Sequence, residues 1–433
     1  MNVTCKTNLG RQVFRLCALT LLLSQISFGS IIGNLQTQCL NSDHLQTENL
    51  NFEVRTFKAS GGVSSVSMSS DGTRSVVGGN NFVYLLNDNA SVLWTQEANH
   101  IVNSVSISDD GRYVVAGTEG SRVYLFDASN GQVIWKYATE GPVLSVRISG
   151  DGRYVVAGIF EGLVYLFERS EGKLLWTHKV GDVTAILSVA ISGDGERIIA
   201  GSSNNRLSLF SPDSPDPIWV YETGDFVRSV AISSDAEFLA AGTNDSYIHL
   251  FSSQRPAPIW SYRTNGPVRS VSISSNGDQI ACGSYDGKVY FFEKSESSPR
   301  WMFDTGGMVL AVSICRDGRS LLAGGADMKA HFLSTKDGSV EFMFKSSFLI
   351  NSVAMSEDGS MMIFGGDSAA IVIERLGQTH PLPQDWIDES RLLLVTVVVS
   401  AVVFALLLAE TKYRVKDTKK VLGSPFYASL LTK

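Results

Sequence analysis

The sequence predicts an all-β protein built from eight copies of one small unit. The octapeptide DGRYVVAG occurs at residues 110–117 and recurs unchanged at 151–158. A valine of an SVSIS-like segment stands just upstream of it, and equivalent valines follow one another at intervals of 39–43 residues. These valines are Val66, Val105, Val146, Val189, Val230, Val271, Val312 and Val353. Self-similarity at a period of about 41 residues indicates a repeat architecture.

Each unit carries the signals of four short antiparallel strands. In residues 102–137, SVSIS alternates apolar and small polar residues, as a pleated strand does. Asp110-Gly111 then predicts a hairpin turn, because glycine accepts the positive φ that a tight turn requires. YVVAG, VYLF and VIWKY supply three further strands. Eight such units predict an eight-bladed β-propeller of four-stranded antiparallel blades over residues 51–378, since radial repetition protects the sheet edges.

The eighth unit lacks a fourth strand of its own. It ends at AIVIERLGQ with no segment like VIWKY after it. Residues 51–63, NFEVRTFKASGGV, are similar to residues 135–143, yet they precede the first unit. We therefore expect the N-terminal strand to complete the last blade and to close the ring, which would remove the free edges.

The two ends of the chain predict a single-pass membrane protein. Residues 1–30 have the charges and apolar run of a secretory signal peptide, with an uncleaved N-terminal anchor as the alternative, and residues 31–50 form a polar leader. After a short stalk at 379–391, residues 392–409 are eighteen uncharged residues, long enough for a transmembrane helix. The basic tail at 410–433 should stay in the cytoplasm. The propeller would then be extracytoplasmic, at the cell surface or in the ER lumen.

Composition argues against nucleic acid as a partner. Between residues 31 and 409 the chain has 27 basic and 41 acidic residues, and an acidic surface repels phosphate backbones. Asn89 and Asn244 lie in Asn-x-Ser sequons and are glycosylation candidates. Cys282 and Cys315 occupy small-residue positions of the repeat, which favours core packing over a disulfide, whereas Cys39 is either free or paired between chains.

Two further motifs connect the repeat with known families. FDASNGQVIW at 126–135 and FERSEGKLLW at 167–176 resemble the aspartate-x-x-x-glycine-x-x-x-tryptophan signature of PQQ-type propeller repeats. The SxDGxxxxxG half of each unit is similar to WD-repeat propellers. The resemblance covers about residues 51–378. It implies that a tryptophan docks each blade against the next, which makes six residues structural: Trp94, Trp135, Trp176, Trp219, Trp260 and Trp301. Phe342 takes that place in the seventh unit.

The resemblance does not extend to quinoprotein chemistry. Quinoprotein dehydrogenases carry long insertions and often an adjacent cysteine pair, whereas these units are minimal and no two cysteines adjoin. The histidines are scattered without metal-ligand spacing, and His249 and His331 replace strand tyrosines of other units, so we place them on the strand surface. We therefore predict a protein that is not an enzyme, with no cofactor, no metal and no catalytic residue.

The candidate binding site lies where the units differ, because variation within a repeat is how a repeat protein encodes a site. The residue at the start of the innermost strand varies, and it is Arg228 in the fifth unit and Arg269 in the sixth. We group these arginines with Asp182 and Asp225 of the preceding loops as a candidate patch. The alternative is that the arginines only form ion pairs with Glu222, Asp225 or similar neighbours.

These observations predict a binding function. The leading hypothesis is a membrane-tethered, extracytoplasmic scaffold that binds membrane-associated protein partners. Similar propellers occur in membrane-protein assembly and folding complexes, and this fold-level analogy implies a subunit role. The alternatives are an adhesion or sensing ectodomain with a ligand at the channel mouth and, from another class, a PQQ-type enzyme.

Overall fold

The computed structural model describes residues 52–376, apart from residues 183 and 368. The predicted signal peptide, polar leader, stalk, transmembrane helix and basic tail lie outside the described residues. Within them, no helix is long and apolar enough to cross a bilayer. The described chain forms eight four-stranded antiparallel sheets, which confirms the predicted eight-bladed propeller.

The strands of the first four blades follow the repeat. Blade 1 comprises β2 (Ser65–Met68), β3 (Arg74–Gly79), β4 (Phe82–Asn87) and β5 (Val92–Glu97). Blade 2 comprises β6 (Val102–Ile107), β7 (Tyr113–Thr118), β8 (Arg122–Asp127) and β9 (Val133–Ala138). Blade 3 comprises β10 (Val143–Ile148), β11 (Tyr154–Ile159), β12 (Leu163–Glu168) and β13 (Lys173–Lys179). Blade 4 comprises β14 (Ile186–Ile191), β15 (Ile198–Ser202), β16 (Arg206–Ser211) and β17 (Ser214–Glu222).

The last four blades continue the pattern. Blade 5 comprises β18 (Val227–Ile232), β19 (Phe238–Thr243), β20 (Tyr247–Ser252) and β21 (Pro258–Arg263). Blade 6 comprises β22 (Val268–Ile273), β23 (Gln279–Ser284), β24 (Lys288–Glu293) and β25 (Trp301–Asp304). Blade 7 comprises β26 (Val309–Ile314), β27 (Ser320–Gly325), β28 (Lys329–Ser334) and β29 (Val340–Lys345). Blade 8 comprises β30 (Ile350–Met355), β31 (Met361–Gly366), β32 (Ala369–Arg375) and β1 (Phe52–Lys58).

The N-terminal strand closes the ring as expected. β1 pairs antiparallel with β32 along its whole length, from Phe52 opposite Arg375 to Lys58 opposite Ala369. At the axis, β2 of blade 1 contacts β30 of blade 8, just as the first strands of other neighbouring blades contact each other. We call the four strands of a blade a, b, c and d from the axis outward. The a strands therefore surround a central channel.

Strands a and b are joined by an Asp-Gly hairpin turn in six blades, and by Asp235-Ala236 and Asn276-Gly277 in blades 5 and 6. In blade 2 the Gly111 N–H donates to the Ser108 carbonyl at 2.9 Å, and Gly111 has a φ of 68°. The Ser108 hydroxyl donates to the Asp110 carboxylate at 2.7 Å, and that carboxylate also accepts the Arg112 N–H at 3.0 Å. The Asp-Gly pairs are thus explained by turn geometry.

The hydrophobic core is divided among the spaces between blades. One cluster joins Val76 and Leu85 of blade 1 to Val105 and Phe126 of blade 2, and a corresponding cluster fills each of the other interfaces of the described propeller. Glycines of strand b let the next blade approach. An added Cβ at Gly117 would lie 2.5 Å from the Val143 side chain of blade 3.

The tryptophans dock neighbouring blades in the way the resemblance implied. The Trp94 indole N–H donates to the Ala128 carbonyl of blade 2 at 2.9 Å, and its ring lies 5.7 Å from that of Phe126. The same bond to the next blade is made by Trp135, Trp176, Trp219, Trp260 and Trp301. In blade 7, Phe342 instead stacks on Phe52 of β1, with ring centroids 4.4 Å apart.

In the closing strand β1, an arginine replaces the tryptophan that contacts the next blade elsewhere, and the sequence pattern did not predict this role. Arg55 lies opposite Val372 in β1, and its guanidinium donates to the Asp88 carbonyl of blade 1 at 3.0 Å. Asp88 follows strand c, as Ala128 does in blade 2, so Arg55 makes the contact that a tryptophan makes elsewhere. It also pairs with Glu374 at 2.8 Å.

Serine hydroxyls connect the a strands around the channel. The Val105 N–H donates to Ser65 Oγ at 3.2 Å, and the Val146 N–H donates to Ser104 Oγ at 3.1 Å. Five further bonds of this kind join valines of blades 1, 4, 5, 6 and 7 to the preceding blade. In blades 1–7 the polar half of SVSIS therefore satisfies an N–H group at the open edge of the innermost strand.

The cysteines are confirmed as core residues. Cys282 and Cys315 are both buried and neither forms a disulfide. Burial raises the pKa of Cys282 above its usual range. Burial and a hydrogen bond to Asp317 raise the pKa of Cys315 to about 12. Cys315 replaces the serine of the turn, because its thiol donates to Asp317 as serine hydroxyls do in other blades. Cys39 lies outside the described residues.

Candidate functional site

The two ends of the channel open onto different faces of the propeller. In blade 2 the Glu119 N–H, between strands b and c, donates to the Ile101 carbonyl, just before strand a. Phe226 and Met308 accept the equivalent bonds in blades 5 and 7. The loops before strand a and the b–c turns therefore form one face, which we call the loop face. The a–b and c–d turns form the other, the turn face.

Exposed apolar side chains distinguish the loop face from the turn face. Among the described residues, most large exposed apolar side chains lie on d strands at the rim. The others on loops all belong to the loop face, apart from Leu376 after the last strand, and are Ile101, Phe160, Phe226, Met308, Met328 and Leu349. The loop face therefore carries more exposed apolar side chains on its loops than the turn face does.

The variable position identified in the sequence is a β-bulge. In blade 5 the register shifts between Val227 and Ser229, so Arg228 is the extra residue. The same shift leaves Arg269 extra in blade 6. The equivalent bulged residues of blades 2, 3, 4, 7 and 8 are Asn103, Leu144, Leu187, Leu310 and Asn351, whereas β2 and β3 of blade 1 pair without this shift. None of the seven is buried. A bulge redirects a side chain out of the strand's alternation, and these residues lie at the loop-face end of the a strands, where the channel opens.

Arg228 and Asp225 belong to one hydrogen-bonded network. Arg228 Nε donates to Asn244 Oδ1 at 2.7 Å, and Asn244 Nδ2 donates to Asp225 Oδ2 at 2.6 Å. The Asn244 bond, together with the Phe226 N–H, lowers the pKa of Asp225, so its carboxylate stays ionised. The Arg228 guanidinium also lies 5.8 Å from the ring centroid of Tyr285 in blade 6. The network therefore spans two neighbouring blades.

The other two candidate residues are placed differently. Arg269 is exposed, and the described residues offer it no hydrogen bond or ion pair. Asp182 pairs with Lys179 at 2.6 Å, both side chains being more than half exposed. This contact lowers the pKa of Asp182 and raises that of Lys179. The structure thus links Asp225 to Arg228 through Asn244, leaves Arg269 unpaired, and gives Asp182 a separate partner.

A polar groove lies beside this network. It has a volume of about 430 Å³ and is lined by Gly181, Asn204, Asn205, Arg206, Glu222 and Thr223. Glu222 pairs with Arg206 at 3.5 Å and not with either candidate arginine. The Thr223 hydroxyl donates to the Asp225 carbonyl at 2.6 Å, which joins the groove to the network.

The two histidines are not on the strand surface as expected. His249 and His331 are both buried, because strand c packs against the neighbouring blade. Burial lowers the pKa of His249 to about 4, and its Nδ1 bonds to Ser261 Oγ at 2.7 Å. His331 Nε2 bonds to Asp327 at 2.7 Å. In the described part of the chain, no group of three or more His, Cys, Asp or Glu residues is placed to hold a metal ion.

The glycosylation candidates differ in accessibility. Asn89 is exposed in the turn between β4 and β5, and only its backbone N–H is engaged, by Asp88. Both ends of the Asn244 amide are occupied by Arg228 and Asp225. A glycan on Asn244 would therefore disrupt the network, whereas one on Asn89 would not.

Two family models match the chain. The model of PQQ-type repeats described as "Outer membrane protein assembly factor BamB" matches residues 79–237. The model of the WD domain, G-beta repeat, matches residues 257–293. No curated protein is significantly similar in sequence.

Several solved structures share the fold. Sqt1 from Chaetomium thermophilum is 16% identical, with a TM-score of 0.68 over 76% of this chain and 99% of its own. Sqt1 bound to the N-terminus of the ribosomal protein L10 is 15% identical, with a TM-score of 0.64 over 73% and 97%. The C-terminal WD40 domain of Sif2 is 14% identical, with a TM-score of 0.64 over 75% and 99%. The chain is a PQQ- and WD-repeat-like β-propeller.

Proposed function

We propose that this propeller is a membrane-tethered, extracytoplasmic scaffold that binds protein partners through its loop face. The observation that carries the proposal is the difference between the two faces. The loop face combines exposed Phe160, Phe226 and Met308 with the bulged arginines, whereas the a–b turns carry no large exposed apolar side chain among the described residues. Apolar anchors beside arginines are the composition that protein interfaces favour.

The comparisons support a binding role by analogy. A structure of Sqt1 contains the N-terminus of a ribosomal protein, so a propeller of this shape binds a peptide segment there. The proposal that the propeller is tethered rests on two segments of the sequence. Residues 1–30 resemble a signal peptide, and residues 392–409 are long and apolar enough for a transmembrane anchor.

A more specific version is a subunit of a membrane-protein assembly complex. The matching family model carries the name of an outer-membrane protein assembly factor, and this is the observation that favours the version. A PQQ-type enzyme is the alternative from another class, and the PQQ-type repeat match is its only support. Turnover by the purified full-length chain without any partner would favour the enzyme.

Site-specific photo-crosslinking in cells tests the proposal. A photoreactive residue replaces Phe226 or Met308 on the loop face, with Arg112 and Glu196 on the turn face as matched controls, since all four are exposed. We expect discrete adducts, recovered with the full-length protein in detergent, from the loop-face positions alone. Equal adducts from both faces, or adducts from the turn face only, would contradict the proposal.

A further inference from the structure

The strands around the channel differ in charge from the rest of the domain. The eight a strands contain three arginines, Arg147, Arg228 and Arg269, and no aspartate or glutamate. The domain as a whole is acidic. A cluster of one sign inside a concave, low-dielectric wall focuses the electrostatic field there. Within the described propeller, the channel is therefore a place where a negative group is attracted.

Arg147 is the deepest of the three arginines. It is the fifth residue of β10, and it is exposed although its neighbours Val146 and Ile148 are buried. Since β10 is an innermost strand, the solvent that Arg147 contacts is that of the channel. The equivalent residues of the other blades are all small: Ser67, Ser106, Ala190, Ala231, Ser272, Ser313 and Ala354. Arg147 thus projects into space that the other blades leave open.

Arg147 has no acidic partner. Its Nη1 donates to the Val146 carbonyl at 2.9 Å, and this is the one hydrogen bond its guanidinium makes to the described residues. A guanidinium has five N–H donors, so most of them face the channel without a protein acceptor. The surrounding protein lowers the pKa of Arg147, and no carboxylate counteracts this effect. Arg147 contacts the solvent of the channel and has no carboxylate partner among the described residues, so its charge is available to an anionic ligand.

The turn-face end of the channel is narrowed. Backbone hydrogen bonds link the a–b turns of successive blades, for example from the Ser275 N–H to the Arg316 carbonyl. The Arg316 side chain then contacts the Asp109 carboxylate. Arg316 belongs to blade 7 and Asp109 to blade 2, so this ion pair crosses between blades that are not neighbours. A ligand would therefore enter from the loop face, past Arg228 and Arg269.

We propose that the channel binds an acidic peptide segment that passes the bulged arginines at the mouth and reaches Arg147. The bulged position is the second residue of strand a and Arg147 is a fifth residue, so the two levels are about 10 Å apart at a strand rise of roughly 3.3 Å per residue. An extended peptide of about three residues spans that depth. A single small anion would reach one level only.

The charge distribution also explains why the ligand is acidic. Arginine binds carboxylates through two parallel N–H bonds, which gives each level a strong and oriented contact. The propeller is acidic overall, so its outer surface attracts the same ligand less than the channel does, and such a difference supplies specificity. This inference rests on the proposed function in taking a protein segment as the ligand.

Binding of fluorescent hexaglutamate to the full-length protein in detergent tests the inference. Arg147→Ser introduces the residue found at the same position in blades 1, 2, 6 and 7, so folding should be preserved and a melting curve checks it. We expect Arg147→Ser and the double variant Arg228→Ser/Arg269→Ser each to weaken binding about tenfold or more, the usual scale for a lost charged hydrogen bond. Arg255→Ser, an exposed arginine in the blade 5 c–d turn, is the charge-matched control and should bind normally. Arg147→Lys keeps the charge without the fork and should give an intermediate loss.

Three results would overturn the inference. These are unchanged affinity in Arg147→Ser, an equal loss in Arg255→Ser, or displacement of hexaglutamate by inorganic phosphate at equal molar concentration, which would indicate a one-level anion site. Failure here can be told apart from failure of the proposed function. A crosslinked loop-face partner that binds Arg147→Ser normally would refute only this inference, and hexaglutamate binding without any crosslinked partner would refute only the scaffold.

Discussion

The d strands at the rim and the a strands at the channel belong to the same repeat, but they differ in what the repeat keeps constant. The d strands keep one contact between blades, whereas the a strands vary one residue that is not buried. At the d strand the contact with the next blade is kept in six blades by tryptophan and in blade 8 by Arg55, an unrelated side chain that reaches the same backbone position. At the bulge of the a strand the residue changes from leucine to asparagine to arginine while the backbone stays the same.

We interpret this difference as a division between residues that stabilise the ring, on the d strands, and residues proposed to bind a partner, on the a strands. The outer contact must be made in every blade, since one missing wedge leaves a cavity between two sheets. The bulged residue is not buried in any of the seven blades that have one, and its contacts differ from blade to blade: Asn103 donates to the Val143 carbonyl of blade 3, whereas the leucines have no polar group to donate. Variation at constant backbone geometry therefore supports our proposal that the bulged residues contact a partner.

Removal of the closing strand should have the largest effect. Deletion of residues 51–58 breaks the seven residue pairs between β1 and β32 and removes the Arg55 contact. The freed edge of β32 is then a template for association with other chains. We expect aggregation, or a melting transition without cooperativity, by light scattering and circular dichroism. A monomeric truncation that melts as the intact protein does would mean that the ring closes in another way.

Loss of a tryptophan wedge should come next. Trp176→Ala leaves a cavity between blades 3 and 4 and should lower the free energy of unfolding by about 3–5 kcal/mol. Trp176→Phe keeps most of the apolar contact and loses the hydrogen bond to Pro212, so its cost should be about 1–2 kcal/mol. Chemical denaturation of both variants measures the difference. Equal costs for Ala and Phe would contradict the wedge.

Replacement of Arg55, which takes the place of the tryptophan in blade 8, should have a smaller effect on stability. Arg55→Met removes the hydrogen bond to Asp88 and the ion pair with Glu374 while keeping the length of the side chain. The side chain is only 16% exposed, so we expect a loss of about 1–3 kcal/mol. Arg112→Met is the control, since Arg112 is 75% exposed and its replacement should change stability by less than about 0.5 kcal/mol. A neutral Arg55→Met variant would show that blade 8 docks without it.

Most of the fold could be predicted because the same local sequence signals recur in successive units. The period of about 41 residues recurs through all eight units, and the Asp-Gly turn and the tryptophan each recur in six of them. The role of Arg55 was not predicted, although 51–63 aligned with 135–143 places it opposite Trp135. The two side chains are chemically different, so the sequence alone did not suggest a common role. What they share is an N–H group that donates to a backbone carbonyl after strand c of the next blade.

The candidate site could be predicted only in part. Variation among the repeats pointed to Arg228 and Arg269, but the bulge that exposes them is a property of strand pairing. Arg147 was not predicted, because the sequence prediction rested on the second residue of strand a and not on the fifth. At the fifth residue every other blade has Ser or Ala, and this contrast would have identified Arg147. His249 and His331 were placed wrongly because the faces of strand c are both covered by neighbouring blades.

The central claim is that the wedge residues govern stability and the bulged residues govern binding. Melting and affinity for a loop-face partner, measured on the same preparations of the full-length protein, test it most directly. For Arg228→Ser/Arg269→Ser we predict a change in stability of about 0–1 kcal/mol, because these side chains are at least partly exposed, and a loss of binding. For Trp176→Phe we predict reduced stability and normal affinity of the folded fraction. Full affinity in the arginine variant, or lost affinity in folded Trp176→Phe, would contradict the account.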